Sequence, residues 1–123
     1  MPNGRSTRTV SQDAPTESSV QTDAVLDALG DRTRRAILEQ LLTGPRPVVE
    51  IARSLPVGRP AVSQHLKVLK AAGLVTDRRE GTRRRYEVDP VGIGLMRAWL
   101  DRFWDRALEA YKSAVDEAED EQR

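Results

Sequence analysis

The sequence predicts a mainly α-helical domain with one small β-hairpin, and three observations support this fold class. Apolar residues recur with a helical period in several short segments between residues 22 and 73. An arginine-rich segment follows, in which two runs with strand character flank a glycine. The remainder, from Val91 to about Asp120, is consistent with one long helix.

Composition and length limit the class of protein. A chain of 123 residues is long enough for one small domain with one core. The sequence has 38% hydrophobic and 32% charged residues, which is typical of a soluble protein. No apolar run approaches the roughly 20 residues needed to span a bilayer, and the first residues lack the apolar core of a signal peptide. The absence of cysteine excludes a disulfide framework, a thiolate metal site and a cysteine nucleophile. We therefore expect a cytoplasmic protein with no membrane partner.

Residues 1–21 form a segment rich in Ser, Thr, Pro and Gln, with almost no large apolar side chain. Such a segment cannot offset the entropy lost on ordering, so we expect a disordered tail. Arg5 and Arg8 could contact DNA, but a passive tail is the favoured interpretation.

Three predicted helices come next. Thr22 is the expected N-cap of the first, which stops at Gly30, and Asp31 is the expected N-cap of the second. Pro47 suits the first turn of the third helix, where its missing N–H would be unpaired in any case. The apolar residues expected to face inward are Val25, Leu26, Leu29, Ile37, Leu38, Leu41, Leu42, Val48, Ile51, Ala52 and Leu55.

The fourth helix is predicted from the stretch "RPAVSQHLKVLKAAGLV", residues 59–75. Gly58 or Arg59 takes the cap position and Gly73 ends the helix. One side is apolar, with Val62, Leu66 and Leu69. The other side carries Arg59, Ser63, Gln64, Lys67 and Lys70. Since Glu and Lys would solvate a helix better than Ser and Gln, this polar side indicates a binding role.

A hairpin is predicted from "LVTDRREGTRRRYEVD", with its turn at Glu80-Gly81, where glycine supplies the positive φ of a tight turn. Tyr86 and Val88 alternate with charged residues, as expected when one face packs on a core. The five arginines of the hairpin exceed the charge that an edge needs to resist aggregation.

Charge is unevenly distributed along the chain, although the net charge is only +1. Between Gly44 and Val88 there are 10 basic and 4 acidic side chains, whereas from Met96 onward there are 5 basic and 8 acidic ones. The basic middle is suited to a polyanionic partner.

These elements together predict a winged helix-turn-helix over residues 22–90, which binds double-stranded DNA. The major groove of DNA is about 12 Å wide and admits one α-helix, which is the role expected for the fourth helix. The Gln side chain can form two hydrogen bonds to an adenine edge in that groove. His65 is at the flank of the helix, where packing or a phosphate contact is expected, and Arg78 and Arg85 face DNA less directly. The expected DNA contacts are Arg59, Pro60, Ala61, Ser63, Gln64, His65 and Lys67 on the helix, with Arg79, Thr82, Arg83 and Arg84 on the hairpin.

The last helix, residues 91–120, carries four of the five aromatic residues. One apolar stripe can pack on the core, but a second, aromatic stripe would be exposed in a monomer, which indicates dimerisation. Interface packing alone is favoured over a pocket for a small apolar effector, which is left open. The expected interface is Met96, Trp99, Leu100, Phe103, Trp104, Ala107, Leu108 and Tyr111.

The segment from Leu26 to Val88 resembles the ArsR/SmtB family of bacterial winged-helix repressors. The resemblance lies in "ALGDRTRRAIL", in "RPAVSQHLKVLKAAGLV", which matches the family's recognition helix, and in "REGTRRRYEVD", which matches its wing. It implies a homodimer that binds a twofold-symmetric operator, often in its own promoter. The region outside residues 26–88 fits the family more loosely.

The resemblance does not extend to metal sensing. Many members bind metals through cysteines on the third helix or through Asp and His on the last, whereas here the third helix reads "VVEIARSL" and the last has no His. Asp101, Asp105 and Glu109 form an acidic row that could hold a cation. A face salt-bridged to the neighbouring Arg97, Arg102 and Arg106 is favoured instead. We therefore expect a metal-independent member without a cofactor.

Two other functions compete with that of a repressor. A winged-helix module that binds proteins is the main alternative, but its groove and wing would not need so many cations. An enzyme is not expected, because the sequence has no phosphate-cradling glycine loop, no nucleophile beside a base and no metal constellation.

Overall fold

The computed structural model describes residues 16–122, and these form five helices and three strands. This confirms the mainly α-helical fold class with a small hairpin. The elements in chain order are α1 (Glu17–Ala28), α2 (Arg32–Leu41), β1 (Arg46–Pro47), α3 (Val48–Arg53), α4 (Arg59–Ala71), β2 (Val75–Glu80), β3 (Arg83–Val88) and α5 (Pro90–Glu121). No helix in this range has the length and apolar character needed to cross a membrane.

Helix α1 begins earlier than the sequence predicted. Thr16 is the N-cap, and its hydroxyl accepts a hydrogen bond of 3.0 Å from the Ser19 amide. Thr22 lies inside the helix, buried, and donates to the Ser18 carbonyl. The prediction of a disordered segment up to residue 21 is therefore wrong for residues 17–21, because packing of α1 against α5 and α4 orders a Ser-rich turn. Residues 1–15, including Arg5 and Arg8, lie outside the described residues.

Helix α2 has the predicted N-cap. The Asp31 carboxylate accepts a hydrogen bond of 3.0 Å from the Arg34 amide, and this bond chiefly lowers the pKa of Asp31. Ile37, Leu38 and Leu41 are buried as expected, but Leu42 is 72% exposed. The prediction that Leu42 faces inward is wrong, because the helix ends at Leu41 and the chain turns away there.

The three strands form an antiparallel sheet in the order β1-β3-β2. Strand β1 was not predicted, since two residues show no periodicity and their partners Tyr86 and Arg85 are distant in sequence. Pro47 belongs to this strand and is the N-cap of α3, not part of its first turn. Glu80 pairs with Arg83, so the hairpin loop is Gly81-Thr82, one residue later than predicted, and Gly81 has the expected positive φ of 65°.

The core lies where α1, α2, α3 and α4 meet the base of the sheet. Its fully buried side chains include Ile37, Ile51, Leu66, Leu69 and Leu74. Tyr86, Val88, Ile93 and Met96 pack against this cluster from the sheet and from the first turns of α5. Met96, predicted at a dimer interface, is therefore half-buried against the core of its own chain.

The turn that follows α4 meets the start of α5 at two glycines. Gly73 follows α4 with a positive φ of 82°, as a helix end often requires. The Gly92 amide donates a hydrogen bond of 2.9 Å to the Gly73 carbonyl. A Cβ atom on Gly92 would lie 2.3 Å from that carbonyl oxygen, so this close approach requires glycine. The end of the predicted DNA-reading helix is thereby fixed against the start of α5.

Candidate nucleic-acid interface

The exposed face of α4 is set by how the helix is anchored. Val62, Leu66 and Leu69 are 0–1% exposed and bind α4 to the core. Ser63, Gln64 and Lys67 therefore lie on the opposite, exposed side. In the first turn Arg59 and Pro60 are exposed and Ala61 is half-buried. No side chain caps the N-terminus of the helix at Gly58, which leaves backbone N–H groups available to an anion.

His65 lies beside this exposed face. Its half-buried ring has Nδ1 3.4 Å from Nη1 of Arg34, whose Nε donates to the Ala28 carbonyl. The ring thus packs between α4 and α2, which agrees with the packing alternative considered for this residue.

The hairpin has one face toward the body of the protein and one toward solvent. Val75 is buried, and its cross-strand partner Val88 packs partly buried against the core, so this pair marks the inner face of the hairpin. Because side chains alternate along a strand, Asp77 with Tyr86 and Arg79 with Arg84 lie on the same inner face. The outer face carries Arg78 with Arg85 and Glu80 with Arg83. Arg79, Thr82, Arg83 and Arg84 lie near the tip and are exposed, as predicted.

Asp77 joins the hairpin to α4 and was missed by the sequence interpretation. Its carboxylate is 2.7 Å from Nζ of Lys70 on α4 and is also paired with the guanidinium of Arg84 on β3. The Asp77 side chain is only 4% exposed, while its two partners are about half exposed. The hydrogen bond from Arg84, and then that from Lys70, lower the pKa of Asp77, and Asp77 raises the pKa of Arg84. The charge of Arg84 is thus partly neutralised by Asp77, so Arg84 is less available to a phosphate than an unpaired arginine would be.

Other cations of the surface are less restrained. Arg85 pairs with Glu80 at 3.2 Å on the outer face, consistent with its expected lesser role. Within residues 16–122, no carboxylate forms an ion pair with Arg59, Lys67, Arg79 or Arg83. A cation already paired with a carboxylate is less available to a phosphate, so among the predicted contact residues these four keep their full charge for one.

The middle of α5, from residue 99 to residue 111, carries an exposed apolar surface. Phe103 is 57%, Trp104 62% and Tyr111 70% exposed, and the rings of Trp99 and Phe103 stack with centroids 5.5 Å apart. An open cavity beside this stack is lined by Trp99, Arg102, Phe103, Arg106 and Ala107. Leu100 and Leu108 extend the same exposed surface.

The acidic row of α5 has neither of the contacts considered for it. No group of three or more His, Cys, Asp or Glu side chains in the described part of the chain is placed to hold a metal ion. The predicted salt bridges to Arg97, Arg102 and Arg106 are also wrong, since no such pair lies within 4.0 Å there. Pairs of long exposed side chains gain little free energy in water, so this helix face is simply solvated.

Comparison with known proteins agrees with the geometry. The family described as "Bacterial regulatory protein, arsR family" matches residues 31–77. The HTH-type transcriptional regulator Rv2034 of Mycobacterium tuberculosis is 58% identical over 99 residues, which cover 80% of this chain and 92% of Rv2034. The HTH-type transcriptional repressor SmtB of Mycobacterium tuberculosis is 47% identical over 64 residues, 52% of this chain and 47% of SmtB.

A similar structure has also been solved. The solution structure of the homodimeric winged helix-turn-helix DNA-binding domain Mb0332 from Mycobacterium bovis is 32% identical, with a TM-score of 0.57, and covers 80% of this chain and 94% of that one. The chain described here belongs to the arsR family of bacterial regulatory proteins and is a winged helix-turn-helix transcriptional regulator. The resemblance noted in its sequence is thereby confirmed.

Proposed function

We propose that this regulator is a cytoplasmic homodimer that represses transcription by binding a twofold-symmetric operator, including one in its own promoter. The observation that carries the proposal is the exposed Ser63-Gln64 pair on α4, flanked by cations of the helix and the wing that form no ion pair within residues 16–122. A repressor is favoured because SmtB and SdpR, both similar to this chain, are named repressors.

Sequence reading is assigned to α4. Gln64 can pair with adenine through both its amide oxygen and nitrogen, and Ser63 can donate or accept at several base edges. Lys67 and Arg59 reach guanine edges or phosphates from the same face. Arg79, Thr82 and Arg83 at the wing tip contact the backbone or minor groove and contribute affinity with little sequence preference. Pro60 and Ala61 approach DNA as part of the first turn.

Dimerisation is assigned to α5. An exposed aromatic surface of this length is unfavourable in water and is of the kind that marks a protein interface. The relative Mb0332 is described as homodimeric. A twofold pair of these chains would bring two α4 helices to half-sites about one DNA turn apart, near 10 base pairs. The proposed interface comprises Trp99, Leu100, Phe103, Trp104, Ala107, Leu108 and Tyr111, with Met96 at its edge.

The signal that releases the operator is proposed to be other than a metal ion, because the chain has no cysteine and α5 has no histidine. The cavity beside the Trp99–Phe103 stack is the position at which a small apolar effector would bind. We favour the alternative in which a second copy of the chain, and not an effector, covers this cavity.

Selection of bound DNA tests the proposal. Fragmented genomic DNA of the source organism is captured on the purified protein at moderate salt and sequenced. We expect enrichment of an imperfect palindrome with half-sites about 10 base pairs apart. Enrichment should depend steeply on salt, with a slope in log affinity of about −0.9 per phosphate neutralised.

The variant Gln64→Ala is selected in parallel, because Gln64 is exposed and its truncation leaves the core unchanged. This variant should capture DNA with a weaker consensus. If the unaltered protein is folded and dimeric but enriches no sequence at all, the proposal is overturned in favour of a protein-binding winged helix.

A further inference from the structure

The feature with the strongest unexplained chemistry is the Asp77 carboxylate, which lies in the groove between α4 and the wing. The groove is basic and faces the proposed DNA, yet a nearly buried anion occupies its floor. Ser63, Lys67, Lys70, Arg84 and Tyr86 line the groove around it. A carboxylate facing phosphate opposes binding, so its presence needs a physical reason.

One effect of Asp77 is to fix the wing relative to α4. The outer half of the hairpin is otherwise held by β2–β3 pairing, and β1 reaches only as far as Tyr86 and Arg85. The pairs of Asp77 with Lys70 and Arg84 add a link from the helix to the opposite strand. The two cations, each about half exposed, are thereby held in defined positions at the groove.

A second effect is electrostatic. One carboxylate shared by two cations leaves this cluster with a charge of +1, whereas without it the two side chains would be free to follow phosphates of any sequence. Contacts to phosphate raise affinity for all DNA alike, while specificity depends on base contacts made in one fixed geometry. Restraining two cations therefore lowers non-specific binding and supports sequence reading.

We propose that Asp77 is a positioning residue that sets DNA sequence specificity, by holding Lys70 and Arg84 in a fixed arrangement between α4 and the wing. The proposal rests on the DNA-binding function proposed above. Its signature is a change in the ratio of operator to random-DNA affinity, which a purely structural ion pair would not produce.

The test compares Asp77→Asn with Glu80→Gln. Each removes one negative charge from the same hairpin. Glu80 is exposed, and in the described part of the chain its one ion pair is with Arg85 on the outer face. Affinities of the full-length protein are measured for the selected operator and for a random duplex of equal length, over a range of salt. Thermal unfolding of each variant accompanies the binding data.

For Asp77→Asn we expect tighter binding to random DNA and a salt slope steeper by about 0.9 to 1.8, since one or two more cations become available. The ratio of operator to random affinity should fall about three- to tenfold, the range expected for partly exposed ion pairs acting together. Glu80→Gln should change the ratio less than about twofold, since the single pair it removes is exposed. Asp77→Glu, which keeps the carboxylate, should keep a salt slope close to that of the unaltered protein.

An unchanged ratio in Asp77→Asn, with the unaltered protein still preferring its operator, overturns this inference and leaves the proposed function intact. If the unaltered protein itself shows no preference between the two duplexes, the proposed function fails. Should Asp77→Asn not fold, Arg84→Gln and Arg83→Gln provide the comparison. The first should lower the ratio and the second should weaken both duplexes equally; equal behaviour of the two variants contradicts the proposal.

Discussion

At the scale of single residues, α4 has one side that packs in the core and one side that faces solvent. Val62, Leu66 and Leu69 are buried, and their packing fixes the direction in which the exposed side chains of the helix point. An exposed Ser or Gln contributes little to the stability of such a helix, so its presence is better explained by a contact with a binding partner. For this reason the sequence alone singled out Ser63 and Gln64 as candidate contact residues, and the structure places both on the exposed side of α4.

The first prediction concerns Gln64. Gln64→Ala should reduce discrimination at one base position of each half-site by about 1–3 kcal/mol, because a bidentate contact to adenine would be lost. Competition binding with operators altered at each position measures this loss. Arg83→Ala is the control, since a phosphate contact contributes alike to all sequences. The assignment of roles is wrong if both variants lose affinity for operator and random DNA by the same factor.

The second prediction concerns Asp77 and pH. Its pKa in the folded protein lies below the ordinary value of 3.8, because Arg84 and Lys70 stabilise the charged form. The stabilisation is therefore complete above the unfolded pKa and is lost as pH falls through the folded pKa. The difference in unfolding free energy between the unaltered protein and Asp77→Asn should be constant above about pH 5 and shrink below pH 4. Denaturant titrations at several pH values measure it, and a difference that grows in acid contradicts the ion-pair assignment.

Asp77 also shows where sequence reasoning stops at this scale. An acidic residue within "TDRREGTRRRY" has several arginines within reach, and its partners depend on the hairpin register and on how β2 packs against α4. The strand alternation does place Asp77 on the same face as Tyr86. The partner on α4, Lys70, follows only from tertiary packing.

At the scale of elements, predictions were accurate where a local rule decides and wrong where packing decides. Asp31 as a cap and Gly73 as a helix end follow from local backbone chemistry, and both are present. The early start of α1 and the existence of β1 depend on distant partners, namely α5 and β3. Leu42 was misplaced because a helical pattern continues in the sequence past the last helical residue.

The third prediction concerns the contact between the turn after α4 and the start of α5. Gly92→Ala should lower the unfolding free energy by about 1–3 kcal/mol, because the added methyl group would overlap the Gly73 carbonyl and displace that turn. Gly94→Ala is a matched control two residues along the same helix, where no atom lies within 4 Å of the new Cβ. It should stabilise the protein by about 0.4–1 kcal/mol. Chemical denaturation measures the unfolding free energy of both variants. Equal changes in the two would show that the Gly92–Gly73 contact tolerates a side chain at residue 92.

At the scale of the whole molecule, charge and apolar surface are segregated. Basic side chains lie on α4 and the wing, while α5 combines an aromatic surface with an acidic C-terminal end. This segregation was visible in the sequence, because charge and aromatic content can be counted along the chain. The partner of the aromatic surface could not be read from one chain.

The fourth prediction concerns that surface. Trp104→Glu should raise the dimer dissociation constant by at least about 100-fold, because each copy would bury an unpaired charge. Ser113→Glu is the control, since residue 113 is half a turn away from residue 104 around the helix. Sedimentation at micromolar concentration measures the mass of each variant. A Trp104→Glu protein that stays dimeric places the interface elsewhere.

The backbone hydrogen bond between Gly92 and Gly73 has a consequence for the choice of operator. It ties the turn that ends α4 to the first turn of α5, and α5 is a helix about 48 Å long. In the proposed dimer, the angle at which the two α5 helices cross would therefore fix the relative orientation of the two α4 helices. Substitutions that alter this angle while preserving the dimer should therefore shift the preferred number of base pairs between half-sites, leaving the preferred bases within each half-site unchanged.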